Sequence, residues 1–379
     1  MGSDPFIFDP FILGRQMFEE FMGTKPVSDK QKFDTGALHT YLKTHVPAYP
    51  GKSADDLTAE QFKGGQSNPT FKLSVKDGSA TVNFVMRTKP GPVAKLLPSA
   101  HAIEREYRVQ DALGKNGFPA AKMFTLCDDE AVIGRAFYIM EMLNGRVLWD
   151  QGLPGMTPAQ RHGVYAEMNR VMAKLHATDY KAIGLESYGK PANYIARQIE
   201  RWSRQYKLSE TESIPSMDKL IEWLPKNIPA GDETTIVHGD YRLDNMIFHP
   251  TEPKILGVLD WELSTLGHPL ADFSYHCMSW HIAPGQFRGI AGLDFKALGI
   301  PDEAEYIALY AKATGNTVNT RDWGFYLAYN MFRLCGILQG IMKRYVDGTA
   351  ASPQALDAGS RARPMAEMGW AQVEKILKH

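Results

Sequence analysis

The run His238-Gly239-Asp240-Tyr241-Arg242-Leu243-Asp244-Asn245, followed by Asp260, combines a carboxylate, an amide five residues on and a second carboxylate fifteen residues later. That spacing is the one phosphoryl transfer uses. Asp240 is the expected catalytic residue, accepting a hydrogen bond from an acceptor hydroxyl and orienting it for in-line attack. Asn245 and Asp260 are the expected metal ligands, a neutral and a charged oxygen of the hard kind that Mg²⁺ prefers against nucleotide phosphates. His238 is expected as a buried scaffold histidine bonding backbone. Asp272 is expected to anchor the loop by accepting backbone N–H bonds. Arg242 is a candidate for phosphate or substrate contact, and Asp244 for capping the turn. Glu262 is a candidate for a second metal reached through water, or for a solvated role.

Four other groups could serve the same chemistry. The glycine-rich turn Gly64-Gly65-Gln66-Ser67-Asn68 would let backbone N–H groups approach phosphate oxygens, with Ser67 or Asn68 adding side-chain donors. It matches neither the P-loop nor the dinucleotide fingerprint. Arg87, closing the strand-like run Val82–Arg87, could hold phosphates if a helix carboxylate fixed its direction; Glu106 is the expected partner, and Glu104 lies on a different face. The backbone around Glu141 and Met142 could bond an adenine edge, and the same run could equally be an interior strand joining two lobes. Arg333, in a mainly apolar helix, needs a partner, either an anionic substrate group or a scaffold carboxylate. His176 sits on an apolar helix, where a satisfied core histidine is the ordinary reading.

The elements that must position these residues follow from periodicity. Residues 34–46 read as a helix ending before Pro47. Thr70–Val75 and Ala80–Arg87 alternate as strands about a turn at Lys76-Asp77-Gly78-Ser79. A helix from about Ser99 to Lys115 and strands over Lys122–Cys127 and Phe137–Leu143 complete an α+β lobe. Beyond Asn144-Gly145 the pattern is helical over 158–178, 191–207, 215–224, 269–281, 302–314, 321–345 and 363–378. Strands are expected at Thr234–Asp240, Met246–Phe248 and Ile255–Leu259. The expected organisation is an N-terminal extension over 1–33, a nucleotide-binding lobe over 34–143 and a helical lobe over 144–379 carrying the catalytic loop and substrate site, with a cleft between lobes.

Composition sets few further limits. The 379 residues suffice for a large core. A formal net charge of −1 gives no global attraction to nucleic acid or membranes, so charge recognition must be local. Cys127, Cys277 and Cys335 show neither disulfide nor metal spacing and read as small buried hydrophobes in a reducing, cytoplasmic setting. No apolar run approaches the roughly 20 residues that span a bilayer. The cluster Phe6, Ile7, Phe8, Phe11, Ile12, Leu13 is broken by Asp9 and Pro10 and lacks a basic leader, unlike a signal peptide. Met17, Phe18, Phe21 and Met22 continue at helical spacing and could pack on the body or on a partner, a homodimer included.

Taken together, Arg87, Glu106, Asp240, Asn245, Asp260, the hinge near Glu141 and the anchor Asp272 resemble the aminoglycoside phosphotransferase and choline kinase-like superfamily. The resemblance runs from about Phe62 to Arg344. More narrowly, Phe62–Asn68, Leu97-Pro98-Ser99-Ala100-His101, His238–Arg242 and Leu259-Asp260-Trp261-Glu262 resemble the branch whose eukaryotic members are fused to acyl-CoA dehydrogenase domains. The resemblance implies a bilobal protein-kinase-like α+β fold, with an antiparallel-sheet first lobe and a mainly helical second. It also implies use of ATP and Mg²⁺ to phosphorylate a small hydroxylated acceptor. Two departures stand out: Arg87 replaces the usual phosphate-binding Lys, a planar fork in place of a compact ammonium, and the metal triplet reads Asp-Trp-Glu in place of Asp-Phe-Gly. Arg197, Arg201, Arg204, Lys207 and Lys219 over 190–225 lean toward an anionic acceptor, such as a hydroxy acid or hydroxyacyl-CoA, over a polycationic aminoglycoside or an amino alcohol. A nucleotide-binding scaffold with little turnover and a nucleotidyl transferase are the alternative activities.

Overall fold

A computed structural model describes residues 23–63, 68–90, 102–286, 288–350 and 354–378. The glycines and serine of the 64–67 turn, the Leu97–His101 motif and the N-terminal apolar cluster therefore lie outside the described residues. The chain divides into two compact units. The first comprises residues 1–160, 183–185 and 243–263; the second comprises 161–182, 186–242 and 264–379. The division falls inside the signature loop, between Arg242 and Leu243.

The first unit is built on a six-stranded antiparallel sheet in the order β1-β2-β3-β4-β6-β5. Its strands are β1 (Thr24–Pro26), β2 (Leu57–Phe62), β3 (Thr70–Asp77), β4 (Ala80–Thr88), β5 (Met123–Cys127) and β6 (Phe137–Glu141). β1 was not expected; it gives the 1–33 extension an edge strand paired with β2. The β3–β4 hairpin closes with Asp77 opposite Ala80, so the two loop residues are Gly78 and Ser79. Gly78 carries φ +61, which glycine adopts without strain.

Alternation on the central strands decides what meets what. Phe84 and Met86 of β4 and Phe137 and Ile139 of β6 bury against Leu38, Leu42 and Val46, carried by or just past α1 (Thr35–His45). Val85, Tyr138 and Met140 point to the other face, where they pack with Ile103 of α2 (Ile103–Lys115). Arg87 is two residues from Val85 and pairs with Tyr138 across the strands, so it shares the α2 face. On α2 the buried residues are Ile103, Glu106, Val109, Gln110 and Leu113, a helical stripe that contains Glu106.

The second unit is mainly helical. It holds most of α3 (Pro158–His176), then α4 (Tyr194–Leu208), α5 (Pro215–Trp223), α6 (Pro269–Cys277), α7 (Phe295–Leu298), α8 (Glu303–Thr314), α9 (Thr320–Val346), α10 (Ala355–Ser360) and α11 (Ala362–Leu377). Its one sheet among the described residues pairs β7 (Thr235–Val237) with β10 (Thr265–Gly267). The pairing needs a glycine at 267, since a Cβ there would lie 2.9 Å from the Val237 side chain and 3.0 Å from the Tyr194 ring. Two further strands, β8 (Met246–Phe248) and β9 (Ile255–Val258), form an antiparallel hairpin that belongs to the first unit.

The core of the second unit is aromatic: Phe273 stacks on Tyr310 at 3.9 Å between centroids, and Tyr165, Tyr206, Tyr241, Tyr306 and Tyr329 are buried. The three cysteines are buried and free, and burial pushes the Cys335 thiol up to about 12. No helix among the described residues is long and apolar enough to cross a membrane.

His276 on α6 is buried, with Nε2 2.9 Å from the Tyr306 hydroxyl. Burial drives its pKa from 6.5 down to about 4, against the pull of Asp272. Between those values the unfolded chain binds a proton that the folded chain refuses. Stability from this group is therefore present above about 6.5 and declines as pH falls toward about 4. Urea unfolding at about pH 7 and about pH 5 should show His276→Gln losing less stability on acidification than the parent. The difference should be about 2 kcal/mol; parallel losses would show that His276 does not drive the acid limb.

Candidate active site

In the first unit the cation and its carboxylate meet as the sheet and helix faces require. Arg87 Nε lies 2.8 Å from Glu106 Oε2 in an ion pair with both groups buried. Three further side chains fix Glu106: Asn68 Nδ2 donates to Oε1 at 2.7 Å, the Tyr138 hydroxyl donates to Oε2 at 3.2 Å, and Gln110 Nε2 donates to its backbone oxygen at 3.1 Å. Burial raises the Glu106 carboxyl while Arg87 pulls it back. Burial opposes the charge on Arg87, but Glu106, with Tyr138, Asp260 and Glu262, outweighs it and holds the guanidinium above its ordinary range. Arg87 is a fixed cation. Asn68, expected among the phosphate donors, is buried and directs its amide to Glu106, because the chain enters β3 on the α2 side. Glu104 pairs with Lys89 at 3.2 Å, away from this cluster.

The same guanidinium reaches the expected metal ligand. Arg87 Nη2 is 3.1 Å from Asp260 Oδ1 and 3.6 Å from Glu262 Oε2. The β8–β9 hairpin brings Asn245 and Asp260 to one end: Met246 pairs with Val258, and Leu259 N–H donates to Asn245 O at 2.8 Å. Asp260 has φ +63, a left-handed conformation rare outside glycine. Such strain tends to cluster at functional sites. Both residues carry side-chain oxygens of the hard kind that Mg²⁺ takes, and on Asp260 that ion would share the carboxylate with Arg87. Among the described residues there is no group of three or more His, Cys, Asp or Glu that could hold a metal. A phosphate-bound Mg²⁺ asks less, taking one or two protein ligands with phosphate and water completing its shell.

At the expected adenine edge, the Glu141 N–H is committed to Lys122 O at 2.9 Å, and its carboxylate accepts from Lys122 N–H at 3.2 Å. β6 ends at Glu141, which makes Met142 the first residue past the strand. The amide that could meet a base is therefore that of Met142.

In the second unit the loop is held from below by Asp272 on α6. Its carboxylate accepts His238 N–H at 2.7 Å and Gly239 N–H at 2.8 Å, and lies 3.2 Å from His176 Nε2. Burial would raise this carboxyl, but His176 and His238 outweigh it and hold it below the ordinary carboxylate range. His176 is a satisfied core histidine, its Nδ1 2.7 Å from the Tyr310 hydroxyl. Gly239 turns the chain with φ +82, which ends β7 at Val237, short of the expected Asp240. His238, fully buried, accepts Asp240 N–H on Nδ1 at 3.2 Å.

Asp240 itself is gripped at both oxygens. The Tyr275 hydroxyl donates to Oδ1 at 2.6 Å, and Arg242 Nη2 lies 2.9 Å from Oδ2. Arg333 donates to Gly239 O at 3.0 Å and lies over the rings of Tyr275 and Trp202. The scaffold carboxylate considered for Arg333 is thus replaced by a backbone carbonyl and two aromatic faces. Tyr275 was missed by sequence reasoning. Its only signal is position, three residues after Asp272 and so on the same face of one helix.

The five cations of 190–225 are less available than their number suggests. Lys207 pairs with Asp218 at 2.7 Å, Arg197 donates to Lys190 O at 2.6 Å, Lys219 lies over Trp370 and Arg201 over Trp202.

The six-stranded antiparallel sheet and helical second unit, with these residues in place, define a protein-kinase-like α+β fold. Residues 58–322 match the model of the phosphotransferase enzyme family, and the chain belongs to that family. It is 41% identical over 362 residues to acyl-CoA dehydrogenase family member 10 of Mus musculus, covering 95% of this chain and 33% of that protein. The chain spans between a third and somewhat under half of the curated relatives it matches. A crystal structure of a candidate aminoglycoside phosphotransferase from Ralstonia eutropha is 64% identical, with a TM-score of 0.82 over 91% of this chain and 99% of that one. Choline kinase from Cryptosporidium parvum shares the fold at 13% identity, with a TM-score of 0.62 over 91% of this chain and 97% of that one. Membership of that family makes the chain a phosphotransferase, and the resemblance to the acyl-CoA dehydrogenase branch is borne out.

Asp272→Ala would strand two buried N–H groups and His176 together. A loss on the order of 3–5 kcal/mol in unfolding free energy is expected, read from urea denaturation. A loss below about 1 kcal/mol would show that the loop does not depend on this carboxylate.

Proposed function

We propose that this chain transfers the γ-phosphoryl group of ATP to the hydroxyl of a small anionic acceptor, a hydroxy acid or hydroxyacyl-CoA. The observation that carries the reading is the Arg87 guanidinium fixed by Glu106 beside Asp260. A buried, permanently charged fork at that place has a use if phosphates arrive there. In this reading Arg87 positions the nucleotide phosphates, Met142 offers its amide to the base, and Asp240 orients the acceptor hydroxyl. Asn245 and Asp260 would hold Mg²⁺, which when bound neutralises charge on the phosphate oxygens. The glycine turn at Gly64, Gly65 and Ser67 is assigned to the phosphates on its sequence alone.

Support for an anionic acceptor now rests less on the helix cations than on Arg242 and Arg333. Both stand beside Asp240 or its loop, where a polycationic acceptor would be repelled. The relatives named as acyl-CoA dehydrogenases favour an acyl thioester among the anionic candidates.

A second reading, a nucleotide-binding module with little turnover, draws on one observation: Arg87 engages Asp260 and Glu262 as well as Glu106. Incubation with Mg-ATP and a panel of hydroxy acids, hydroxyacyl-CoA thioesters, amino alcohols and aminoglycosides, followed by ADP release, separates the readings. Acceptor-dependent ADP release, fastest with the anionic members, is expected; ATP bound without turnover on any acceptor would favour the second reading. Asp240→Ala should lower turnover at least about 100-fold while nucleotide affinity changes less than about threefold. Undiminished turnover would refute the role given to Asp240.

A further inference from the structure

Tyr275 touches Asp240 from outside the loop, on helix α6. Its phenol is buried, and its hydroxyl donates to Oδ1 at 2.6 Å. The ring is held by a second contact, since the Arg333 guanidinium carbon lies 5.3 Å from its centroid while that arginine donates to Gly239 O. α6 thus grips the loop twice in one turn, at the backbone through Asp272 and at the carboxylate through Tyr275. The other oxygen has a different neighbour. Oδ2 faces Arg242, whose side chain is 20% exposed, and Arg242 sits on the loop itself rather than on a packed helix.

The geometry points to Tyr275 as a positioning residue that fixes Oδ1 and so commits Oδ2 to the acceptor hydroxyl. This rests on the reading of Asp240 as the residue that orients the nucleophile. A carboxylate oxygen accepts at two lone-pair positions, so Oδ2 can keep Arg242 and still receive the hydroxyl. In the step that follows, the acceptor O–H proton passes to Oδ2 as the acceptor oxygen bonds to the γ-phosphorus. The bond from that phosphorus to the β,γ-bridging oxygen breaks, and its electron pair leaves on ADP. Without the phenol the carboxylate can rotate, and Oδ2 meets the hydroxyl in a smaller fraction of encounters.

The test measures steady-state ADP release from Mg-ATP, with 3-hydroxybutyryl-CoA as acceptor and with water alone, in a double-mutant cycle. Tyr275→Phe keeps the ring under Arg333 and removes only the hydroxyl; Tyr275→Leu removes both and reports packing. Tyr275→Phe should lower kcat about 10- to 100-fold with KM for ATP changed less than about twofold. In an Asp240→Asn background the same substitution should lower the residual rate less than about twofold, because the group Tyr275 acts through is already gone. Parent kcat in Tyr275→Phe, or an equal loss in both backgrounds, would overturn the inference. A loss seen with Tyr275→Leu and not with Tyr275→Phe would overturn it too, by assigning the effect to packing. If the parent protein releases no ADP with water or with any acceptor of the panel, the phosphotransfer reading fails and takes this inference with it.

Discussion

The Asp272 carboxylate is the constraint on which the functional half of the second unit depends. A buried charge is costly unless paired and hydrogen-bonded, and here the pairing groups are the backbone N–H groups of His238 and Gly239, with His176 behind them. The need to satisfy that carboxylate dictates the path of the chain into Asp240. Gly239 is left-handed because the path requires it, His238 turns inward to receive Asp240 N–H, and Arg333 closes the loop from α9 through Gly239 O. Stability and geometry are therefore the same interaction seen twice.

The first unit solves a related problem with the signs reversed. Arg87 is a cation on an inward strand face, and the α2 stripe supplies Glu106 to meet it. Asn68 and Tyr138 donate to the Glu106 carboxylate, so it cannot turn away, and Gln110 donates to the backbone oxygen of the same residue. A guanidinium can contact Glu106 through Nε and Asp260 through Nη2 at once, which a single ammonium nitrogen would do less readily. Arginine at 87 therefore keeps the charge a lysine would carry while adding a second directed contact.

Much of this was legible in the sequence. The spacing of Asp240, Asn245 and Asp260, the Arg87–Glu106 pairing and the anchoring of the loop by Asp272 all follow from local pattern: strand alternation, a helical stripe, a loop that must bury backbone. What stayed hidden depends on long-range direction. β10 is three residues without alternation, fixed only by its pairing with β7. Asn68 looked like a phosphate donor because its partner, Glu106, is thirty-eight residues away. Charges on α4 suggested an open cationic face, yet Lys207 and Arg197 have partners that no periodicity reveals. Tyr275 was invisible for the same reason, its role being set by where α6 docks.

The claim at the centre is that a phosphoryl group, and no larger fragment of the nucleotide, reaches a hydroxyl. The mass spectrum of the acceptor recovered after incubation with Mg-ATP tests it most directly. The account predicts acceptor that has gained one phosphoryl group, in amount equal to the ADP formed. Acceptor carrying an adenylyl group, or ADP formed while every acceptor in the panel is recovered unchanged, would contradict it.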